Sequence, residues 1–137
     1  MNNLKIDINQ IIIHLMAIDC ISKDIHYTAH GEAFYAKHLF VDKFDFSDDI
    51  DLIKESVLLG NNIRPLSSVE YLINVVNILR QVNENDDKAN FETLREMLLK
   101  TYKLIQDLKT DNIVDSIISD IGKKVLQYIG LINLQLE

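Results

Sequence analysis

The sequence predicts an all-α protein: four long helices forming a bundle, with one short helix in the crossover between the second and the third. Three observations carry that expectation. The 137 residues include one proline, four glycines and no tryptophan, too few turn formers to punctuate many short strands. Apolar residues recur at three- and four-residue steps over long stretches, the spacing that lines one face of an α-helix. Capping residues stand where those stripes begin and end. A hydrophobic content of 47% is enough for one core, so residues 1–137 are expected to form one domain.

The first helix is expected over residues 7 to about 27, where Ile11, Leu15, Ile18, Ile21 and Ile25 make a single buried stripe. His30 and Gly31 end it, since glycine takes the left-handed cap conformation without strain. A second helical stretch begins near Glu32 and carries Phe34, His38, Val41 and Phe44. The run Phe44-Asp45-Phe46-Ser47-Asp48-Asp49 predicts an interruption, because Ser47 is a good N-cap and the acids after it suit a new first turn. Helix then continues to Leu59, with Gly60 as its cap.

Residues 61–66 are a connector holding Pro65. Ser67 and Glu70 form a capping box for the short helix through Val69, Leu72, Ile73, Val76 and Leu79. Residues 83–87 make a polar, acidic loop. Phe91, Leu94, Leu98, Tyr102, Ile105 and Leu108 define the third long helix. Thr110 and Asp111 start the fourth, with Val114, Ile117, Ile121, Val125, Ile129 and Ile132 as its stripe.

Charge and composition exclude several functions. A net charge of −7 with scattered basic residues is the wrong sign for a phosphate-binding surface. Lys5 is the only Lys or Arg before Lys23, and the last residues are Asn133-Leu134-Gln135-Leu136-Glu137, so neither end is expected to serve as a basic arm and DNA binding is expected to be weak. Cys20 is the only cysteine, which rules out an internal disulfide and fits a reducing compartment. Its place in the first helix suggests buried packing. Residues 1–10 carry Lys5 and Asp7 instead of a signal-peptide pattern, and the apolar run at Ile11 to Ile13 is too short to span a bilayer. A cytoplasmic location is therefore expected. No glycine-rich phosphate loop, Ser-His-Asp order or zinc-ligand spacing is present.

The residues that suggest chemistry are His26, His38, Asp42, Asp51 and Glu55. His38 with Asp42, and Asp51 with Glu55, are four residues apart, so on a helix each pair stacks one turn apart on one face. Imidazole and carboxylate without thiolate suit iron or manganese better than structural zinc. An acidic run is more often a solvated face than a metal site when it stands alone. Here the two histidines, the acids paired at four-residue spacing, Gly31 and Gly60 occur together and in order.

Residues 25–42, Ile-His-Tyr-Thr-Ala-His-Gly-Glu-Ala-Phe-Tyr-Ala-Lys-His-Leu-Phe-Val-Asp, resemble the signature of the Dps family, the miniferritins. A histidine with an aromatic neighbour closes the first helix; a glycine, a phenylalanine, a second histidine and an acid follow. The acids of Asp51-Leu52-Ile53-Lys54-Glu55 and the glycine of Leu58-Leu59-Gly60 resemble that family's second acidic pair and the close of its second helix. The resemblance implies a ferritin-like four-helix bundle with a short helix in the crossover, assembled as a hollow homo-oligomer, a dodecamer. It implies a ferroxidase that oxidises Fe(II), preferentially with hydrogen peroxide, and stores Fe(III), protecting against oxidative stress. Carried over by position, His26, His38 and Asp42 of one subunit and Asp51 and Glu55 of its partner would form the catalytic metal site at a two-fold interface.

Three positions depart from the family pattern. Tyr27 replaces the usual tryptophan and keeps an aromatic; Ser56 stands where an arginine commonly follows the glutamate. The spacing from His38 to Asp51 is two residues shorter than in the family. At about 100° per residue, that loss rotates an unbroken helix by roughly 200°. Either the helix breaks and resets near Phe46 and Ser47, or Asp51 and Glu55 do not reach the site. The competing expectation is a non-catalytic ferritin-like structural or interaction assembly with a degenerate metal site.

Overall fold

A computed structural model describes residues 2–31, 34–79 and 81–137. Among the described residues six α-helices run in the order α1 (Asn2–Thr28), α2 (Phe34–Val41), α3 (Ser47–Leu52), α4 (Ser68–Ile78), α5 (Asp87–Asp107) and α6 (Asn112–Leu136). A π-helical segment, Ile53–Leu58, and a short 3-10 turn, Leu59–Asn61, follow α3 directly. The predicted start of the second helix at Glu32 lies outside the described residues. Among the described residues there is no strand, and no helix is long and apolar enough to cross a membrane.

The expected bundle is present. Its second long helix is in two pieces, α2 and α3 with its π extension, and α4 is the short crossover helix. Helix α5 packs against both α1 and α6, while α1 also contacts α2, α3 and α4. All five stripe residues foreseen in α1 are buried, and Ile8, Ile12, Ile13 and Ala17 widen that face. This width follows from the position of α1, which is covered on several sides and needs apolar residues around more than one stripe. In α6, Val114, Ile121, Val125, Ile129 and Ile132 are buried as predicted.

Helix ends follow sequence signals in some places and tertiary contacts in others. Ser67 and Glu70 form the capping box: the Glu70 N–H donates to Ser67 Oγ at 3.1 Å, and the Ser67 N–H donates to Glu70 Oε1 at 3.2 Å. Asp86 and Asp111 cap α5 and α6. Gly31, at φ +76°, occupies the left-handed conformation after α1. Gly60 does not act as the cap of the second helix. That role falls to Asn62, at φ 60°, which donates its N–H to Leu59 O at 3.0 Å; asparagine tolerates this conformation better than most side chains.

The break between α2 and α3 is where expected, but its cap is different. Ser47 is the first residue of α3, and Phe46 is the N-cap, with no capping side chain of its own. The Phe46 N–H donates to Asp19 Oδ1 of α1 at 2.8 Å, and the Ser47 N–H donates to Asp45 Oδ1 at 2.9 Å. Two N–H groups that the start of a helix leaves unpaired are thus satisfied by carboxylates, one local and one from another helix.

Candidate metal centre

The last turn of α1 carries His26, and α2 returns the chain so that His38 lies beside it. The two rings stack at 3.6 Å between centroids and 31° between planes. His26 Nδ1 donates to His38 O at 3.1 Å, and His38 Nδ1 donates to His26 O at 2.7 Å. Because a carbonyl can only accept, each Nδ1 carries a proton, and the ring edge bearing Nε2 is turned away from these bonds. A ring hydrogen bond to a backbone carbonyl in this way fixes the tautomer and orientation of metal-binding histidines.

Asp42 departs from the predicted geometry. Helix α2 ends at Val41, and the Asp42 N–H turns back to Leu39 O at 3.3 Å. Asp42 therefore stands just past the end of the helix, and its Oδ1 lies 2.5 Å from His26 Nδ1. It orients His26 from the side of the ring opposite Nε2.

A second group anchors the loop between the histidine helices. Asp87, nine-tenths buried at the start of α5, accepts from the His30 N–H at 3.1 Å and from Lys37 Nζ at 2.9 Å, both at Oδ2. Lys37 also donates to His30 O at 3.2 Å. Burial works against the Asp87 carboxylate, but these hydrogen bonds and the charges of Lys37 and His30 outweigh it and hold its carboxyl below the usual range. His30, placed in the sequence at the end of the first helix, belongs to this anchor.

Asp51 and Glu55 stand apart from the histidines within one chain. Both are exposed, Asp51 on α3 and Glu55 in the π segment. Asp51 faces a groove of about 490 Å³ shared with Met16, Cys20, Lys54 and Leu72. His26 and Asp42 line a different pocket, of about 420 Å³, with Lys23 and Asp45. Asp19 and Ser47 line both. Among the described residues, no group of three or more histidine, cysteine, aspartate or glutamate side chains within one chain is placed to hold a metal ion. Cys20 is exposed, against the expectation of buried packing, because its position falls on the groove side of α1.

Sequence reasoning missed Asp19 and Lys124. Lys124 of α6 donates to Asp45 O and to Asp49 Oδ2, each at 2.7 Å, and its Nζ lies 4.9 Å above the Phe46 ring. Both residues sit next to apolar stripe positions, Ile18 and Val125, and that adjacency is the only local signal of their role.

The Asp19 carboxyl is pushed up to about 7: burial dominates, the Phe46 N–H opposes it, Asp45 raises it, Lys124 lowers it and Asp49 raises it. The folded chain then holds this proton to higher pH than the unfolded chain, whose carboxyl has a value of 3.8. The resulting stabilisation is complete below the unfolded value and is lost as pH rises toward about 7. Asp19→Asn, neutral and still an acceptor, is expected to be more stable than the wild type above that pH. Urea denaturation at a series of pH values would show the two converging in acid; parallel curves would contradict this.

These features define the fold class: a ferritin-like bundle in which His26 and His38 meet at the junction of its first two helices. No protein-family model and no curated protein matches the chain. Among solved structures, it is similar to a Dps protein from Vibrio cholerae O1, described as a member of a broad superfamily of ferritin-like diiron-carboxylate proteins. The TM-score is 0.69 over 99% of this chain and 90% of that one, at 16% identity. The likeness is one of fold.

Proposed function

We propose that the chain is a ferroxidase and iron-storage subunit that oxidises Fe(II), with hydrogen peroxide as oxidant, and holds Fe(III) inside a hollow homo-oligomer, a dodecamer, in the cytoplasm. The observation that carries the reading is the reciprocal His26–His38 lock, which presents two oriented imidazoles at one end of a ferritin-like bundle. His26, His38 and Asp42 are one half of the site, and Asp51 and Glu55 of a second copy are the other. Asp42 is about half exposed, so leaving His26 Nδ1 to meet an ion costs little packing. Each Fe(II) loses one electron; two of them reduce one peroxide, whose O–O bond breaks as two protons are taken up and two waters leave.

Assembly has support on the surface. In α4, Val69, Leu72, Ile73 and Val76 are each between 54% and 65% exposed, an apolar row of the kind that marks a contact surface. A split site makes activity depend on that assembly. The second reading, a ferritin-like assembly with a degenerate centre, is favoured by the separation of Asp51 and Glu55 from the histidines within one chain.

Size-exclusion chromatography after Fe(II) and peroxide addition separates the two. A large particle that oxidises Fe(II) faster than buffer and co-elutes with Fe(III) is the expected result. An assembled particle with buffer-rate oxidation supports the degenerate centre, and a monomer that leaves Fe(III) to precipitate sinks the proposal.

A further inference from the structure

The interrupted second helix raises a geometric question: what fixes the direction in which its second half points? An unbroken helix would inherit its phase from α2. Here residues 42–46 separate the two halves, so the phase of α3 must come from contacts outside the chain's local sequence.

Those contacts converge on Phe46 and its neighbours. Asp19 of α1 takes the Phe46 N–H at 2.8 Å. The Phe46 ring is fully buried, edge-on to Tyr128 of α6 at 5.3 Å between centroids. Lys124 of α6 binds Asp45 O before the helix and Asp49 Oδ2 within it, and spans the ring between them. Asp49 is thereby held toward α6. At about 100° per residue, Asp51 is turned roughly 200° from Asp49, away from α6. The groove it faces, with Cys20 of α1 and Leu72 of α4, is on that side. Ile50, Ile53 and Val57 are buried. The π segment keeps Glu55 exposed, with the Leu59 N–H shared between Lys54 O and Glu55 O.

The geometry points to Asp19 and Lys124 as positioning residues that clamp the helix break from two sides and set the direction in which α3 presents Asp51 and Glu55 to a second copy. This rests on the proposed ferroxidase reading for its functional consequence, but the clamp itself does not. Asp19 serves the Phe46 N–H, and Lys124 serves Asp45 and Asp49.

The test uses the full chain with Asp19→Leu, which removes the acceptor at similar size, Asp19→Asn, which keeps it, and Lys124→Met. Amide hydrogen exchange without metal reads the clamp. Asp19→Leu and Lys124→Met are expected to speed exchange in residues 46–55 by roughly tenfold while α5 is unchanged, and Asp19→Asn to restore protection. In Fe(II) oxidation, Asp19→Leu is expected to raise KM roughly tenfold with kcat changed by no more than about twofold, and Asp19→Asn to return KM to the wild-type range. A residue that only stabilises the fold would lower the melting temperature without that split.

Unchanged exchange in both acceptor-free and lysine-free variants overturns the clamp. Altered exchange with unchanged KM overturns its positioning role. If Asp19→Leu does not fold, Lys124→Met decides on the same two readouts. If the wild type does not oxidise Fe(II), the ferroxidase reading fails by itself, and exchange still judges the clamp.

Discussion

Replacing both His26 and His38 with alanine is expected to slow the fast phase of Fe(II) oxidation by roughly 100-fold while the assembled particle keeps its size. The proposed half-site is built from these two rings, each held by the other's backbone carbonyl, so the double change removes both nitrogen donors and these bonds between α1 and α2. The fold should tolerate it. His26 is only partly buried, and the loop beside it remains tied to α5 through Asp87, Lys37 and His30. Stopped-flow oxidation with peroxide, paired with light scattering for size, makes the measurement. Wild-type kinetics in the double variant would remove the site assignment. Alanine at Asp51 and Glu55 should give a comparable loss if those acids complete the site from a neighbouring copy; an unaffected rate would leave the histidine half standing and exclude the acids.

The second large effect concerns stability. Phe46→Ala is expected to cost about 3–5 kcal/mol, because it empties a fully buried aromatic position. The ring also meets Tyr128 edge-on and lies beneath Lys124, interactions that go beyond area burial. Phe46→Leu retains most of the volume and should cost less than half as much. Urea midpoints of the two variants provide the comparison. Equal and small losses would mean that the surrounding helices close over the vacancy.

Most of the fold was legible because it rests on local periodicity. The stripes of α1, α5 and α6 and the Ser67 capping box can be read within a dozen residues, and the structure realises them. The interruption was legible too, since Phe44 to Asp49 breaks the helical pattern. Its cap was not: Ser47 had the right chemistry, but the acceptor comes from Asp19, 27 residues away in sequence. A partner that distant leaves no trace in local spacing. The same reason hid Lys124 and the approach of the Asp42 carboxylate to His26 across the helix junction. Gly60 was a reasonable cap by composition, yet the π segment shifts the end of the helix to Asn62. Nothing in the residue types of Ile53–Leu58 distinguishes a π turn from an α turn.

The mutual hold of His26 and His38 has a thermodynamic side. Two imidazoles on separate helices would each lose rotamer freedom on capturing an ion, and that loss would be charged against affinity. Here the main chain has frozen both rings in advance. On the proposed reading, an ion arriving at this end of the bundle would meet nitrogen donors already at rest, so modest coordination would suffice to hold it. Weak, fast-exchanging capture then becomes compatible with geometric order, a combination suited to a metal that must arrive, react and move on.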